Sequence, residues 1–172
     1  IHPSTDCVFD GQIKNFYTKN FNHTANDFYG ISKSLAEFFL KKRKNTLILR
    51  VSIIGYSKNG KDLFSWLYNL KDRKIYGYTN HYWNGITTLE WCKIVEKLIN
   101  RKNLMVKNKI MQLGTKEKYS KYKIALLIKK RFNLSYNIEK KKVNYINRCL
   151  KSDIISQKFP NQLLEFRNYW NL

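Results

Sequence analysis

Tyr29 and Lys33 bracket the segment YGISK and stand four residues apart. On an α-helix this spacing puts both side chains on one face, about one turn apart. An ammonium group beside a phenol favours the phenolate and brings its pKa down from about 10 toward neutrality, which creates a usable general acid or base. With 12 tyrosines and 33 Lys+Arg in the chain, the spacing fits an ordinary surface pair equally well.

Further polar residues stand upstream, in the segment STDCVFDG that runs from Ser4 to Gly11. Its first residues resemble the end of a strand, and its last residues resemble the loop that follows. Thr5 therefore sits where a side chain projects from the carboxyl end of a sheet. Asp6 is either a substrate contact or a structural residue that caps the loop through its carboxylate.

The elements around these residues have the periodicity of an α/β fold. Apolar residues recur at helical steps from Asp27 to Lys42, namely Phe28, Ile31, Leu35, Phe38 and Phe39. The β-branched, mostly apolar run from Leu47 to Ile54 is closed by Gly55 and predicts a strand buried on both faces. Helix followed by buried strand is typical of α/β proteins.

The rest of the chain continues this alternation. Thr87 and Glu90 form a predicted capping box, with an apolar stripe (Leu89, Ile94, Val95, Leu98 and Ile99) in a helix that ends near Arg101. Other predicted helices span 62–70, 120–132 and 161–170, and predicted strands span 74–78, 109–113 and 136–138, with Gly114 stopping the second of these. Asn84-Gly85 predicts a turn.

Composition narrows the classes of partner. The net charge of +21 would suit a polyanion, but the lysines are scattered, and the runs 41–44 and 129–131 fall where helices end and complement the helix dipole. Nucleic acid is therefore not favoured, and no apolar run approaches the ~20 residues of a membrane span. Cys7, Cys92 and Cys149 are too dispersed for a zinc site or a disulfide framework, so we expect no metal, buried or half-buried free thiols, and a reducing cytoplasm.

Three motifs in order carry a more specific resemblance: STDxVFDG, then YGxSK, then LxLRxSIxG. Together they resemble the extended short-chain dehydrogenases/reductases, and most closely the dTDP-4-dehydrorhamnose reductase branch. The resemblance implies NAD(P)H-dependent reduction of a keto nucleotide-sugar for cell-surface polysaccharide synthesis, or epimerisation within the same superfamily. It allows a homodimer and a nucleotide-sugar substrate, and leaves NADP or NAD open as cofactor.

The resemblance also implies roles for individual residues. Thr5 would hydrogen-bond the sugar oxygen, Tyr29 would transfer the proton, and Lys33 would bind the nicotinamide ribose, because charge develops on the oxygen when hydride reaches the carbonyl carbon. Related dehydratases carry Asp-Glu where this chain has Asp6-Cys7, which disfavours dehydration. Further implied contacts are Tyr29, Ser52 and Ile53 to the cofactor, and Asp6, Ile54, Asn84 and Arg148 to the substrate.

A glycine-rich phosphate-binding turn is not present in this sequence. The resemblance covers nearly the whole chain but only the later part of a family member. We therefore expect an incomplete Rossmann-like, doubly wound α/β fold. Residues 1–57 would supply its second half with the catalytic set, and residues 58–172 would supply most of a small α/β substrate-binding region interleaved with the last Rossmann elements. Alone, such a chain should be inactive, and a non-catalytic remnant or a basic nucleic-acid-binding module is the alternative class.

Overall fold

The computed structural model describes residues 1–100 and 109–172. The eleven strands in this part of the chain are β1 His2–Thr5, β2 Ile48–Val51, β3 Ile53–Ile54, β4 Lys74–Tyr78, β5 His81–Trp83, β6 Ile86–Thr87, β7 Ile110–Thr115, β8 Tyr119–Ser120, β9 Asn137–Lys141, β10 Ile146–Asn147 and β11 Ile154–Ser156. The helices there are α1 Phe28–Leu40, α2 Leu63–Tyr68, α3 Thr88–Asn100, α4 Lys121–Phe132 and α5 Phe159–Trp170, and a short 3-10 turn spans Asp6–Val8.

A four-stranded sheet with the order β1-β2-β7-β11 forms the centre of the protein, and all its strands are parallel. All four residues of β2 are buried, because β2 has a strand on each side and packing on both faces. The prediction of an α/β fold with a parallel sheet is confirmed. This sheet takes strands from both sides of the boundary predicted near residue 57, and that boundary itself stays a prediction.

The other described strands form three smaller sheets. A three-stranded sheet has the order β10-β5-β8, and β3 pairs with β6 while β4 pairs with β9. Helices α2, α4 and α5 pack against these strands around an aromatic core that contains Phe64, Phe132, Phe159 and Phe166. The aromatic ring of Phe64 contacts the rings of Phe132 and Phe166 edge to face, with ring centroids 5.0 and 5.2 Å apart.

The helix starts follow from capping residues in the sequence. The side chains of Asp27, Asp62 and Ser120 accept hydrogen bonds from the backbone N–H groups of the first turns of α1, α2 and α4. These three helices were predicted from the sequence to within about two residues at each end. α5 begins two residues before its predicted start, with Pro160 in its first turn. The predicted end of α3 near Arg101 lies outside the described residues.

Two strand predictions were wrong in detail. The run from Leu47 to Ile54 is divided at Ser52, because β2 pairs with β1 and β7 whereas β3 turns away to pair with β6. β7 continues through Gly114 to Thr115. A side chain at Gly114 would meet the carbonyl oxygen of Asn84 at 2.5 Å, so this glycine permits a close approach of two backbones and does not end the strand.

Only half of the predicted capping box forms at α3. The Thr87 hydroxyl accepts a hydrogen bond from the backbone N–H of Glu90, but the backbone N–H of Thr87 donates to the side chain of Gln162. The carboxylate of Glu90 accepts hydrogen bonds from Ser156 and Gln157. A tertiary contact between α3 and the start of α5 has therefore replaced the local one. The expectation for the cysteines was wrong at Cys92, which is exposed on α3.

The apolar face of α1 points outward, although its period is that of an amphipathic helix, whose apolar side ordinarily faces the core. Its members Phe28, Ile31, Leu35, Phe38 and Phe39 are 93%, 42%, 56%, 58% and 64% exposed. We call these five residues the α1 stripe. The buried residues of α1 are Gly30 and Glu37. Beside this helix, β1 is an edge strand of the main sheet, since among the described residues only β2 pairs with it. An apolar surface of this kind marks a place where further protein packs.

Substitution of Phe39 by lysine should leave the folding of the isolated chain nearly unchanged, within about 0.5 kcal/mol, because surface positions tolerate replacement. It should lower binding of a hydrophobic dye and any concentration-dependent self-association. Denaturant unfolding and sedimentation velocity measure these effects. Leu163→Ala, in the buried core, is the contrasting variant and should cost about 2–5 kcal/mol. A large loss of stability in Phe39→Lys would show that this side chain is already packed within the chain.

Candidate functional site

Thr5 is the last residue of β1, at the carboxyl end of the parallel sheet, where sites form in α/β folds. Its hydroxyl oxygen accepts a hydrogen bond from the backbone N–H of Cys7, with 3.1 Å between the two atoms. The same oxygen lies 3.2 Å from Oδ1 of Asp6. Thr5 is only 6% exposed, so two hydrogen bonds and the surrounding packing fix its hydroxyl.

Tyr29 and Lys33 lie on the first turns of α1, which is held against the chain just after β1. At Gly30 a side chain would collide with the carbonyl oxygen of Cys7, so the glycine lets the helix approach this loop. Lys33 Nζ is 5.9 Å from the centroid of the Tyr29 ring and 3.5 Å from the carbonyl oxygen of Pro3. The structure thus brings the two elements that carry the predicted catalytic residues into contact, with Tyr29 54% exposed.

Asp6 is buried beside Thr5 and is 7% exposed. Burial raises the pKa of its carboxyl group, and the charge of Arg148 and the hydroxyls of Thr5 and Ser52 only partly oppose this effect. Burial, together with the charge of Asp6, also raises the pKa of the neighbouring Cys7 thiol. The loop after β1 therefore favours an uncharged thiol and a carboxyl group that gains a proton readily.

Arg148, predicted as a substrate contact, is engaged within the protein. Its Nη1 donates to the sulfur of Cys7 at 3.3 Å, and its Nη2 lies 3.6 Å from Oδ2 of Asp27, the residue that caps α1. Its Nε is buried without a hydrogen-bond partner among the described residues. Arg148 thus links the loop after Thr5 to the start of the helix that carries Tyr29, and a phosphate contact stays a prediction.

Ser52 directly follows β2, and since Thr5 pairs with Val51, it stands next to Asp6 at the same end of the sheet. Ile53 is partly exposed there, as a cofactor contact requires. Ile54 and Asn84 are buried. Ile54 packs in the aromatic core, and the side-chain amide of Asn84 bonds the backbone of Thr115 and Leu150. Their proposed contact with substrate stays a prediction.

An ion pair behind the site was missed in the sequence. Glu37 and Arg50 are both 2% exposed and are joined by Nη2–Oε2 and Nε–Oε1 contacts of 2.6 and 2.9 Å. Glu37 also accepts a hydrogen bond from the hydroxyl of Ser4, the neighbour of Thr5. The signal was present: Glu37 lies one turn beyond Lys33, and Arg50 is the charged residue in the run LILRV. We call Glu37 and Arg50 the buried ion pair.

Lys33 is suited to the ribose end of a nicotinamide nucleotide, because the one hydrogen bond found for its ammonium among the described residues is the long one to Pro3. The described residues offer no glycine-rich helix start that could hold a pyrophosphate. The described part of the chain also contains no cluster of three or more potential metal ligands and no helix long and apolar enough to cross a membrane.

Solved structures with this fold are numerous. dTDP-4-dehydrorhamnose reductase from Clostridium acetobutylicum superimposes with a TM-score of 0.82 at 19% identity, covering 99% of this chain and 65% of that protein. The enzyme of the same name from Bacillus anthracis, in complex with NADP, gives 0.82 at 17% identity, with the same two coverages. dTDP-glucose 4,6-dehydratase from Bacillus anthracis, in complex with NAD, gives 0.76 at 13% identity, covering 98% of this chain and 60% of that protein. No curated protein matches the sequence.

The parallel sheet and the superposition on these solved structures define a Rossmann-like α/β fold, in which Thr5 lies at a strand end and Tyr29 and Lys33 lie on the helix beside it. The family model described as RmlD substrate binding domain matches residues 1–161. The chain belongs to that family. It spans about two-thirds of the length of the two solved reductases, 65% in each case, and so contains a partial fold.

Proposed function

We propose that this chain forms the substrate-binding and proton-transfer part of an NAD(P)H-dependent reductase that acts on a 4-keto nucleotide-sugar, in the synthesis of a surface polysaccharide. The observation that carries the proposal is the contact between the turn that follows Thr5 and the start of α1, which carries Tyr29 and Lys33. The names of the solved relatives support it, since they are reductases and dehydratases of dTDP-linked sugars. Epimerisation by the same residues is the second candidate.

In the proposed reaction, β1 and α1 supply different catalytic groups. A bound nicotinamide nucleotide would supply the hydride that converts the carbonyl carbon to an alcohol carbon. Tyr29 would donate its hydroxyl proton to the carbonyl oxygen and regain a proton from solvent. Thr5 would donate a hydrogen bond to the same oxygen while its charge develops. Lys33 would bind ribose hydroxyls and stabilise the phenolate left on Tyr29.

Reduction is favoured over dehydration by the chemistry of Cys7. Elimination of water needs a base beside the acid at this loop, and burial raises the pKa of the Cys7 thiol away from that role. The thiol also accepts a hydrogen bond from Arg148, which ties it to the protein. The likeness to a dehydratase at 13% identity shows the shared fold alone.

The cofactor-holding half of such an enzyme would pack on the outer edge of β1 and over the α1 stripe. Two features of the described residues support this placement, the outer edge of β1 and the exposure of the α1 stripe. A parallel strand on the free side of β1 would extend the main sheet, and helices from the same unit would bury the five apolar side chains. The share of the solved reductases that this chain leaves uncovered is large enough for that half.

For the isolated chain we expect no saturable NADPH binding in the micromolar range, because no phosphate-binding turn is present. Placing the part of the Clostridium acetobutylicum reductase that this chain does not cover ahead of Ile1 gives a "joined chain". The joined chain should bind NADPH and oxidise it when dTDP-4-dehydrorhamnose is added. Fluorescence titration and absorbance of NADPH measure the two effects.

Micromolar NADPH binding by the isolated chain would contradict the proposal that the residues holding the cofactor phosphates are supplied by the added part of the joined chain. A joined chain that binds NADPH without oxidising it would instead favour the non-catalytic remnant. Retardation of a nucleic-acid duplex at physiological salt, with a steep dependence on salt concentration, would favour the basic binding module.

A further inference from the structure

The protonation state of Asp6 determines which hydrogen bonds the hydroxyl of Thr5 can make. A threonine hydroxyl has one hydrogen and two lone pairs. The backbone N–H of Cys7 occupies one lone pair of Thr5, at 3.1 Å. Between Oγ1 of Thr5 and Oδ1 of Asp6, 3.2 Å apart, there is room for a single hydrogen, which belongs either to Thr5 or to Asp6.

The two alternatives have opposite consequences for a ligand. If Asp6 is ionised, it can only accept, so the hydrogen of Thr5 points at Asp6 and is lost to any other acceptor. If Asp6 is protonated, its own hydrogen fills the second lone pair of Thr5. The hydroxyl hydrogen of Thr5 can then point away from Asp6, toward an oxygen bound in front of the strand end.

Burial favours the protonated form of Asp6, which is 7% exposed. The groups facing it are the hydroxyls of Thr5 and Ser52, the guanidinium of Arg148, and two thiols, Cys7 and Cys149. Burial raises the pKa of the Asp6 carboxyl group, whereas the charge of Arg148 lowers it, as would hydrogen bonds donated by Thr5 and Ser52 to an ionised Asp6. Arg148 contacts Cys7 and Asp27, and among the described residues no ion pair joins it to Asp6.

We propose that Asp6 is a positioning residue that keeps its proton, donates it as a hydrogen bond to Thr5 Oγ1, and thereby aims the hydroxyl hydrogen of Thr5 at the substrate oxygen. Asp6 loses no proton in this role, so the proton balance of the reduction is unchanged. The identity of the acceptor rests on the proposed function. The direction of the Thr5–Asp6 hydrogen bond does not depend on the proposed function, and it can be measured on the isolated chain.

The test is a pH titration of the carboxyl carbons by NMR, with ¹³C in the six aspartates. The Asp6 signal is the one that disappears in Asp6→Asn. We expect Asp6 still to be protonated at neutral pH, with a midpoint far above the ordinary value for aspartate. We also expect Thr5→Val to lower this midpoint, by about half a pH unit, because the substitution removes the acceptor that stabilises the neutral acid. Thr5→Ser keeps a hydroxyl and should restore the midpoint.

The sign of the Thr5→Val effect decides the inference. If Thr5 donates to an ionised Asp6, loss of the hydroxyl raises the Asp6 midpoint, and that result would overturn the proposal, as would an Asp6 that is ionised at neutral pH in the wild type. Asp10 and Asp62, whose pKa values are lowered by hydrogen bonds from their neighbours despite partial burial, report that each variant is folded. The proposed reduction is tested separately, by NADPH oxidation in the joined chain.

Discussion

Substitution of Arg50 by alanine is expected to lower the free energy of unfolding by about 3–5 kcal/mol, because it leaves a buried carboxylate without its partner. Glu37 receives hydrogen bonds from both Nε and Nη2 of Arg50. Arg50 also donates to the backbone carbonyl of Lys19 and to the side chain of Gln112. One substitution therefore breaks contacts among α1, β2, β7 and the segment that precedes α1. Denaturant unfolding of the isolated chain measures the loss.

Glu37→Gln and the double variant with Arg50→Ala separate the pair from its neighbours. Because the two residues are in contact, the double variant should cost less than the sum of the single ones. Lys74→Ala is the matched control, since Lys74 forms an ion pair of 2.8 Å with Glu139 on the surface, where solvent screens the charges. No measurable change is expected there. Equal losses in Arg50→Ala and Lys74→Ala would contradict the importance of burial.

The buried ion pair also makes the free energy of unfolding depend on pH. Burial by itself would raise the pKa of Glu37, but hydrogen bonds from His23 and Arg50 and the charge of Arg50 lower it to about 2 from an ordinary value of 4.5. A carboxyl group with a lowered pKa stabilises the fold fully above its unfolded pKa and loses that contribution as the pH falls. Wild-type stability should therefore decline between about pH 4.5 and pH 2, and Arg50→Ala should lose part of that dependence.

Local signals were sufficient to predict the positions of the helices. Asp27, Asp62 and Ser120 cap helices where the sequence suggested, because an N-cap acts on its own first turn and needs no distant partner. The placement of Thr5 at a strand end and of Tyr29 and Lys33 one helix turn apart could be predicted for a related reason, and their catalytic roles stay predictions.

Features that depend on distant partners could not be predicted in the same way. The α1 stripe has the period of a buried helix face, but which face is covered depends on what packs there, and within this chain it is the side with Glu37. β3 leaves the main sheet because β6 offers a partner far along the chain. The Asp6–Thr5 contact required the loop geometry, because a carboxylate in a strand-end motif can equally face solvent.

The substitution Tyr29→Phe in the joined chain should lower kcat for NADPH oxidation by a factor on the order of 10²–10⁴, the usual contribution of a positioned proton donor. Phenylalanine retains the ring and its packing near Lys33, and removes the hydroxyl that would protonate the carbonyl oxygen. The KM for NADPH should change little, since Lys33 would still bind the ribose. Steady-state kinetics with dTDP-4-dehydrorhamnose separate the two parameters.

Tyr76→Phe is the matched control, because Tyr76 is 55% exposed on β4, close to the 54% of Tyr29, and lies outside the site. Its kcat should equal that of the unsubstituted joined chain. Because hydride transfer leaves negative charge on the carbonyl oxygen, a reductase of this kind needs a proton donor close to that oxygen. Normal turnover in Tyr29→Phe would therefore show that the proton comes from another group, and of the side chains at the end of β1, protonated Asp6 acting through Thr5 would then be the next one to test.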